Sequence, residues 1–258
     1  MMMTVQDIYQ IIDRMAPFNT QEDFDNAGFL VGDPAMAVRG IHVALDVTER
    51  VLDEAEAAGA NLIVTHHPIM FSPVKRLVAT DYETRLIFRM VRAGMALIAA
   101  HTNYDRAPGG MNDTLAARCG LTDVAGEGFI RAGNLPRPMT GHELTAHIAS
   151  ALGTVVRPMG DPEKVYRRMA LCSGGGSDFW AEGHALGADA FLTGEMKHHH
   201  ALALADACML GLEAGHFATE MPGVFALADA LQNAADAVQY DVCVSTSQAG
   251  AYAPPARP

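Results

Sequence analysis

From residue 40 to 102 the chain alternates short aliphatic runs with longer stretches of helical period, and this alternation is its strongest constraint. "GIHVALDV" (40–47), "NLIVTHH" (61–67) and "MALIAAHT" (95–102) read as buried strands. Between them "TERVLDEAEAAGA" (48–60) and "YETRLIFRMVRAG" (82–94) read as helices, the first capped by Thr48. A strand that returns through a helix lies parallel to its predecessor, so these segments predict βαβ units and a parallel sheet.

The pattern resumes from about residue 128. "TGHELTAHIASALG" (140–153) has the capping-box pair Thr140 and Glu143. Strands are expected at "RRMALCSGGG", "DAFLTGE", "MLGLEAGH" and "VQYDVCVS", and helices at "SDFWAEGHALGA", "HHHALALADAC" and "PGVFALADALQNA". The last of these helices is expected to open at Pro222. The segment "NTQEDFDNAGFLVGDP" (19–34) reads as a polar loop, and "QAGAYAPPARP" as a mobile tail. The reading is a first α/β domain over 1–127 and a second over 128–258, two α/β layers facing a cleft.

Bulk properties exclude several classes. Half of the 258 residues are hydrophobic, enough for a sizeable core. The net charge of −12 argues against broad nucleic-acid binding and against an anionic membrane surface, though not against a small anionic substrate met by metal ions. Cys119, Cys172, Cys208 and Cys243 form no C-x-x-C pair, which predicts ordinary thiols in a reducing compartment. Asp7 and Asp13 interrupt the N-terminal apolar run, so no secretory signal is expected, and Val5, Ile8, Ile12 and Met15 share one helical face instead. No window has the roughly 20 apolar residues of a membrane span. A cytoplasmic protein is expected.

Three strands finish alike. One ends in His66 and His67, the next in His101 with Asp105 four residues later, and a third in His216 with Glu220 four residues later. Ligands of open α/β sheets bind outside the carboxyl ends of the strands, so these side chains point to one site. Adjacent residues on a continuing strand face opposite ways, and Pro68 supplies the break that lets both rings turn together. Imidazole with carboxylate suits Zn, Mn, Fe, Co or Ni. The donors outnumber the three or so that a catalytic zinc uses, which suggests two ions about 3.5–4 Å apart with one carboxylate spanning them.

The blocks "FDNAGFLVGDP", "NLIVTHHPIMFSPVKRL", "AAHTNYDRAPGGMNDTLA", "GADAFLTGEMKHHHALALAD" and "EAGHFATE" run in order from residue 24 to 220 and resemble the Nif-three-like family. Its members are dinuclear-metal, ring-forming proteins often labelled GTP cyclohydrolase 1 type 2 homologues. The resemblance implies two divalent ions per subunit held by His66, His67, Asp105, His216 and Glu220. Glu220 would bridge both ions, with His67 and Asp105 on one and His66 and His216 on the other, and His101 would lie near the site. It further implies two intertwined three-layer α/β/α domains with mainly parallel sheets, the metals in the cleft between them, and a ring homohexamer. Phe24 stands where the family commonly has tryptophan, and the C-terminal end lacks its Asp-Pro-aromatic finish.

Other residues have two readings each. Glu195 and Lys197 either bind substrate or act beside the metals, or else they dress a helix N-terminus. Lys75 and Arg76 either meet a small anionic substrate such as a nucleotide or lie in a solvated loop. Asp25 and Asn26 either hydrogen-bond near the site or form a turn. "CSGGGSDF" is either a phosphate cradle or a tight turn capped by Ser177 or Asp178. The expected function is a dinuclear-metal hydrolase with metal-bound hydroxide as nucleophile. His101, or one of His198, His199 and His200, would move the proton, with His199 the representative of its run. The alternatives are a metal-dependent phosphoesterase and a non-catalytic metal-binding ring scaffold or regulator.

Overall fold

A computed structural model describes residues 2–249. In chain order its strands are β1 (Gly28–Val31), β2 (Gly40–Ala44), β3 (Leu62–Thr65), β4 (Ala96–Ala99), β5 (Thr122–Ala125), β6 (Arg131–Thr140), β7 (Arg157–Met159), β8 (Val165–Cys172), β9 (Ala190–Thr193), β10 (Leu210–Glu213) and β11 (Cys243–Thr246). The α-helices are α1 (Val5–Met15), α2 (Glu49–Ala57), α3 (Tyr82–Ala93), α4 (Thr102–Arg106), α5 (Met111–Arg118), α6 (Gly141–Leu152), α7 (Trp180–Ala185), α8 (His198–Asp206) and α9 (His216–Ala237). The chain divides into two compact units, one of residues 1–107 with 224–258 and one of residues 108–223. The sequence reading divides it instead into 1–127 and 128–258. Composition does not mark either crossing, because the second falls inside α9.

The first unit holds a five-stranded sheet in the order β1-β4-β3-β2-β11. Its strands pair in parallel except for β1, which runs antiparallel to β4. Val51, Leu52 and Ala55 of α2 and Leu86 and Met90 of α3 pack on Ala44, Ile63 and Leu97. The alternate strand residues Ile41, Val43, Leu62, Val64 and Ile98 are fully buried as well, so both faces of this sheet are covered. That explains the unbroken aliphatic runs in the sequence.

The second unit holds a six-stranded sheet in the order β5-β6-β8-β9-β10-β7. Only β8, β9 and β10 are mutually parallel; β5, β6 and β7 join antiparallel. The expectation of mainly parallel sheets therefore gives way to two mixed sheets in an α/β protein. One face packs on Leu115 of α5 and Leu144 and Ile148 of α6. The other packs around Ile130, Phe191 and Leu204.

Several elements depart from the sequence reading. β1 lies inside the expected loop, and β5, β6 and β7 are unanticipated. Pro136 and Pro138 disguise β6, and they fall where its register with β8 shifts, between Asn134 and Met139, a place in a strand that tolerates a missing N–H. Pro222 lies inside α9 rather than opening it. The helix begins at His216, so His216 and Glu220 stand one turn apart on a single face. Of the expected mobile tail, residues 250–258 lie outside the described residues. Among the described residues no helix is long and apolar enough to cross a membrane.

Candidate metal centre

In the first unit the donors collect at the carboxyl edge of three neighbouring parallel strands. β2 leads to Asp46, β3 to His66 and His67, and β4 to His101. β1 is antiparallel, so its beginning lies at the same edge, and Asp25 stands just before it. The chain turns at the end of β3 as the Pro68 argument requires, with one addition: Thr65 Oγ1 donates to the carbonyl of His67 at 2.8 Å. The amides of His66 and His67 still bond to Ala44 and Leu45, so the turn starts from a fixed ladder.

Each ring has one nitrogen anchored. His66 Nδ1 lies 2.8 Å from the carbonyl oxygen of Ala100, an acceptor only, so Nδ1 carries the proton and donates. His67 Nδ1 donates to Asp46 Oδ1 and His101 Nδ1 to Asp25 Oδ1, both at 2.8 Å. A neutral imidazole protonated at Nδ1 presents Nε2 as a lone-pair ligand, the arrangement usual for metal-binding histidines. One nitrogen from each of His66, His67 and His101 falls within 4.8 Å of the others. Asp105, carried on α4 four residues after His101, reaches within 3.5 Å of His66 Nε2.

Asp25 is the most strongly held carboxylate of the group. Burial works to raise its pKa, but hydrogen bonds from His101 and from the Thr102 hydroxyl and amide outweigh it, and the group stays charged far below the usual carboxylate range. Its side chain is fully enclosed. Asn26 beside it donates from Nδ2 to the carbonyl of Met70 at 2.7 Å.

The second unit repeats the plan. β8 leads to Gly174, β9 to Glu195 and β10 to His216, again three adjacent parallel strands. His216 Nδ1 donates to Glu195 Oε1 at 2.9 Å, and its Nε2 lies 3.1 Å from Glu220 Oε2. Gly174 is indispensable here. Its φ is +56°, and a Cβ placed on it would stand 2.2 Å from Glu220 Oε1 and 3.0 Å from His216 Nε2. Gly194 is similarly constrained, since a Cβ there would meet the Gly174 carbonyl at 2.6 Å and His216 Cα at 2.8 Å. The glycines of "CSGGG" and "LTGE" let the backbone close around the His216–Glu220 pair.

The remaining candidates spread out. His198 and His199 are exposed at the start of α8, while His200 is partly buried, its Nδ1 3.1 Å from Ser177 Oγ and its Nε2 3.6 Å from Asp178. Burial and the neighbouring His199 hold the His200 pKa below the usual imidazole value. Lys197 Nζ donates to Asp178 at 2.5 Å. Lys75 and Arg76 are exposed, and Arg76 pairs with Asp81 at 3.0 Å. Sequence reasoning missed Asp46 and Gly174. Asp46 follows the end of a parallel strand as His66 and His101 do, so the strand-end rule would have found it had carboxylates been sought there as well as histidines.

The donor chemistry fits a divalent ion. In the first unit imidazole nitrogens with fixed tautomers stand beside the Asp105 carboxylate, and in the second His216 stands beside Glu220, each a mixed nitrogen and oxygen set of the kind borderline metals take.

The chain has clear relatives among known proteins. The chain is 34% identical over 244 residues to a Clostridium perfringens protein named GTP cyclohydrolase 1 type 2 homolog, covering 91% of this chain and 93% of that one. A Streptomyces coelicolor protein of the same name is 32% identical over 259 residues, covering 95% and 91%. Among solved structures, the Staphylococcus aureus hypothetical protein SA1388 superposes with a TM-score of 0.92 at 27% identity, covering 96% of this chain and 97% of that one. The profile described as Duf34/NIF3 (NGG1p interacting factor 3) matches residues 3–250, and the chain therefore belongs to the DUF34/NIF3 family.

Proposed function

We propose that the protein is a metal-dependent hydrolase in which His66, His67, Asp105, His216 and Glu220 hold two divalent ions. The observation that carries this reading is the anchoring of Nδ1 in each of His66, His67 and His216, which turns Nε2 outward as a ligand, with His101 held in the same way beside them. A hydrogen-bonded histidine in an ordinary core has no reason to share that tautomer with three others at strand ends.

Divalent ions in such a site supply acidified water and a charge clamp for an oxyanion. The chain's own residues do the rest. Asp46 and Glu195 keep the rings of His67 and His216 oriented as ligands, and Asp25 orients His101. His101, whose ring is fixed by its hydrogen bond to Asp25, is the residue best placed to take up and return a proton. Family relatives named as GTP cyclohydrolase homologues make ring opening of a nucleotide the first reaction to try. The ring homohexamer implied by the family resemblance belongs to the same proposal.

The test compares metal content of the purified protein with that of a His66→Ala, Glu220→Ala double variant, followed by a screen of GTP and phosphoesters with formate and phosphate readouts. About two equivalents of metal in the parent, loss in the variant, and turnover of one substrate are expected. Equal metal in both proteins removes the dinuclear site. Full metal without turnover on any substrate transfers the reading to a metal-binding scaffold.

A further inference from the structure

Phe24 and Phe71 make a surface that the metal donors do not use. Phe24 is 63% exposed and Phe71 50%, an unusual state for two large apolar side chains standing side by side. Their ring centroids are 6.1 Å apart at an interplanar angle of 50°. Phe71 in turn meets the His101 ring nearly edge-on, at 6.1 Å and 75°. Three rings in a row thus lead from solvent to the histidine set.

The backbone that carries them is pinned. Asn26 ties the Phe24 loop to Met70, next to Phe71, and Asp25 ties the same loop to His101 and Thr102. Gln21 closes that loop, accepting from the amide of Ala27 at 2.8 Å and donating to the carbonyl of Phe18 at 2.9 Å. Exposed rings on anchored loops lose little further freedom when a ligand covers them.

We propose that Phe24 and Phe71 form a stacking corner that takes the planar nitrogen heterocycle of a substrate and sets it beside His101. The proposal rests on the metal-hydrolase reading above and specifies the substrate class. Rings tilted at 50° offer a flat π-face for stacking and a second ring to meet the ligand's edge, which suits a flat heterocycle better than an aliphatic chain. Two partly exposed phenyl groups fall well short of the roughly 800 Å² that a protein partner covers on each side, which favours a small ligand. The row also ends where heterocycle nitrogens would meet the metal donors.

The experiment measures binding of GTP, ATP, nicotinate and ribose 5-phosphate to the full chain by calorimetry, with and without a chelator. Phe24→Leu and Phe71→Leu keep apolar bulk while removing the π-face, and both sites are exposed enough for the fold to tolerate them. At least one heterocycle should bind the parent and lose about 5- to 100-fold in affinity in each variant, while ribose 5-phosphate is unchanged. Phe24→Trp should retain binding, with fluorescence quenched by the ligand. Metal content should stay constant throughout, and absence of metal from the parent would sink the hydrolase reading without touching the stacking result. Equal heterocycle binding to parent and leucine variants, or none to either, overturns the proposal. A changed sedimentation state with unchanged binding overturns it too, and would mark the two rings as a contact between copies.

Discussion

In the first unit the carboxylates that hold the histidines are enclosed or partly so, whereas in the second unit the corresponding carboxylate stands largely in water. Asp25 has a side chain with no exposure and Asp46 one 39% exposed, against 65% for Glu195. The histidines follow suit, from 1% for His66 to 35% for His216. One design, a ring anchored at the carboxyl edge of three parallel strands, is executed at different degrees of exposure. A hydrogen bond to an enclosed carboxylate is strong and resists salt, while an exposed pair is screened and worth little. The second unit compensates with backbone: Gly174 and Gly194 press the main chain against His216 and Glu220, so fit does there what enclosed charge does in the first unit.

The largest effect should come from breaking that backbone fit. Gly174→Ala puts a methyl group 2.2 Å from Glu220 Oε1 at a left-handed φ, which alone costs a non-glycine residue about 1–2 kcal/mol. Metal content should collapse and the unfolding midpoint should drop in denaturant. Retained metal at parental stability would show that the glycine cradle is incidental.

Next in size are the carboxylates of the first unit. Asp46→Ala releases the ligand His67 and should weaken metal binding by about 10- to 100-fold, whereas Asp25→Ala releases His101, which holds no ion in this reading, and should change metal binding by less than about 10-fold. Competition against a chelator of known affinity measures this. Glu195→Gln keeps a hydrogen-bond acceptor for His216 Nδ1 in an exposed setting, so a change under about 10-fold is expected. A larger loss for Glu195→Gln than for Asp46→Ala would reverse the contrast between the units.

The smallest effect concerns His42, buried within the first unit away from the strand ends. Its Nδ1 lies 2.8 Å from Ser245 Oγ, and its Nε2 lies 3.7 Å from Glu54, which also pairs with Arg50 and accepts from Ser247. Burial lowers its pKa more than Glu54 raises it, so the folded state favours the neutral ring. The unfolded chain then binds the proton more readily. Stability from this source is full above about pH 6.5 and falls as acidification protonates the unfolded state, by at most about 1.4 kcal/mol per pH unit. Denaturation of His42→Gln across pH 5–7.5 should give a shallower slope than the parent. Superimposable slopes would mean that Glu54 already offsets the burial.

The strand–helix alternation, the capping box at Thr140 and Glu143, and the strand-end histidines were readable along the chain because each depends on neighbours a few residues apart. The edges of the second sheet were not. β5, β6 and β7 are held by pairing partners rather than by local pattern, and the prolines of β6 counterfeit a loop. Pro222 misled for the same reason: its local preference is to open a helix, yet α9 begins six residues earlier. Asp105 and Glu220 could be named from their spacing, but Asp46 as the partner of His67 could not, because 21 residues separate them.

What the sequence alone determined was the chemistry available: imidazoles and carboxylates at the ends of buried strands, in a chain of net charge −12. Which nitrogen of each ring faces outward was decided only by tertiary structure. A tautomer is set by the acceptor on the other side of the ring, and those acceptors, Ala100, Asp46, Asp25 and Glu195, are brought there by the pairing of strands distant in the chain. Side-chain type is inherited from the sequence, whereas hydrogen-bond direction is a property of the packed sheet.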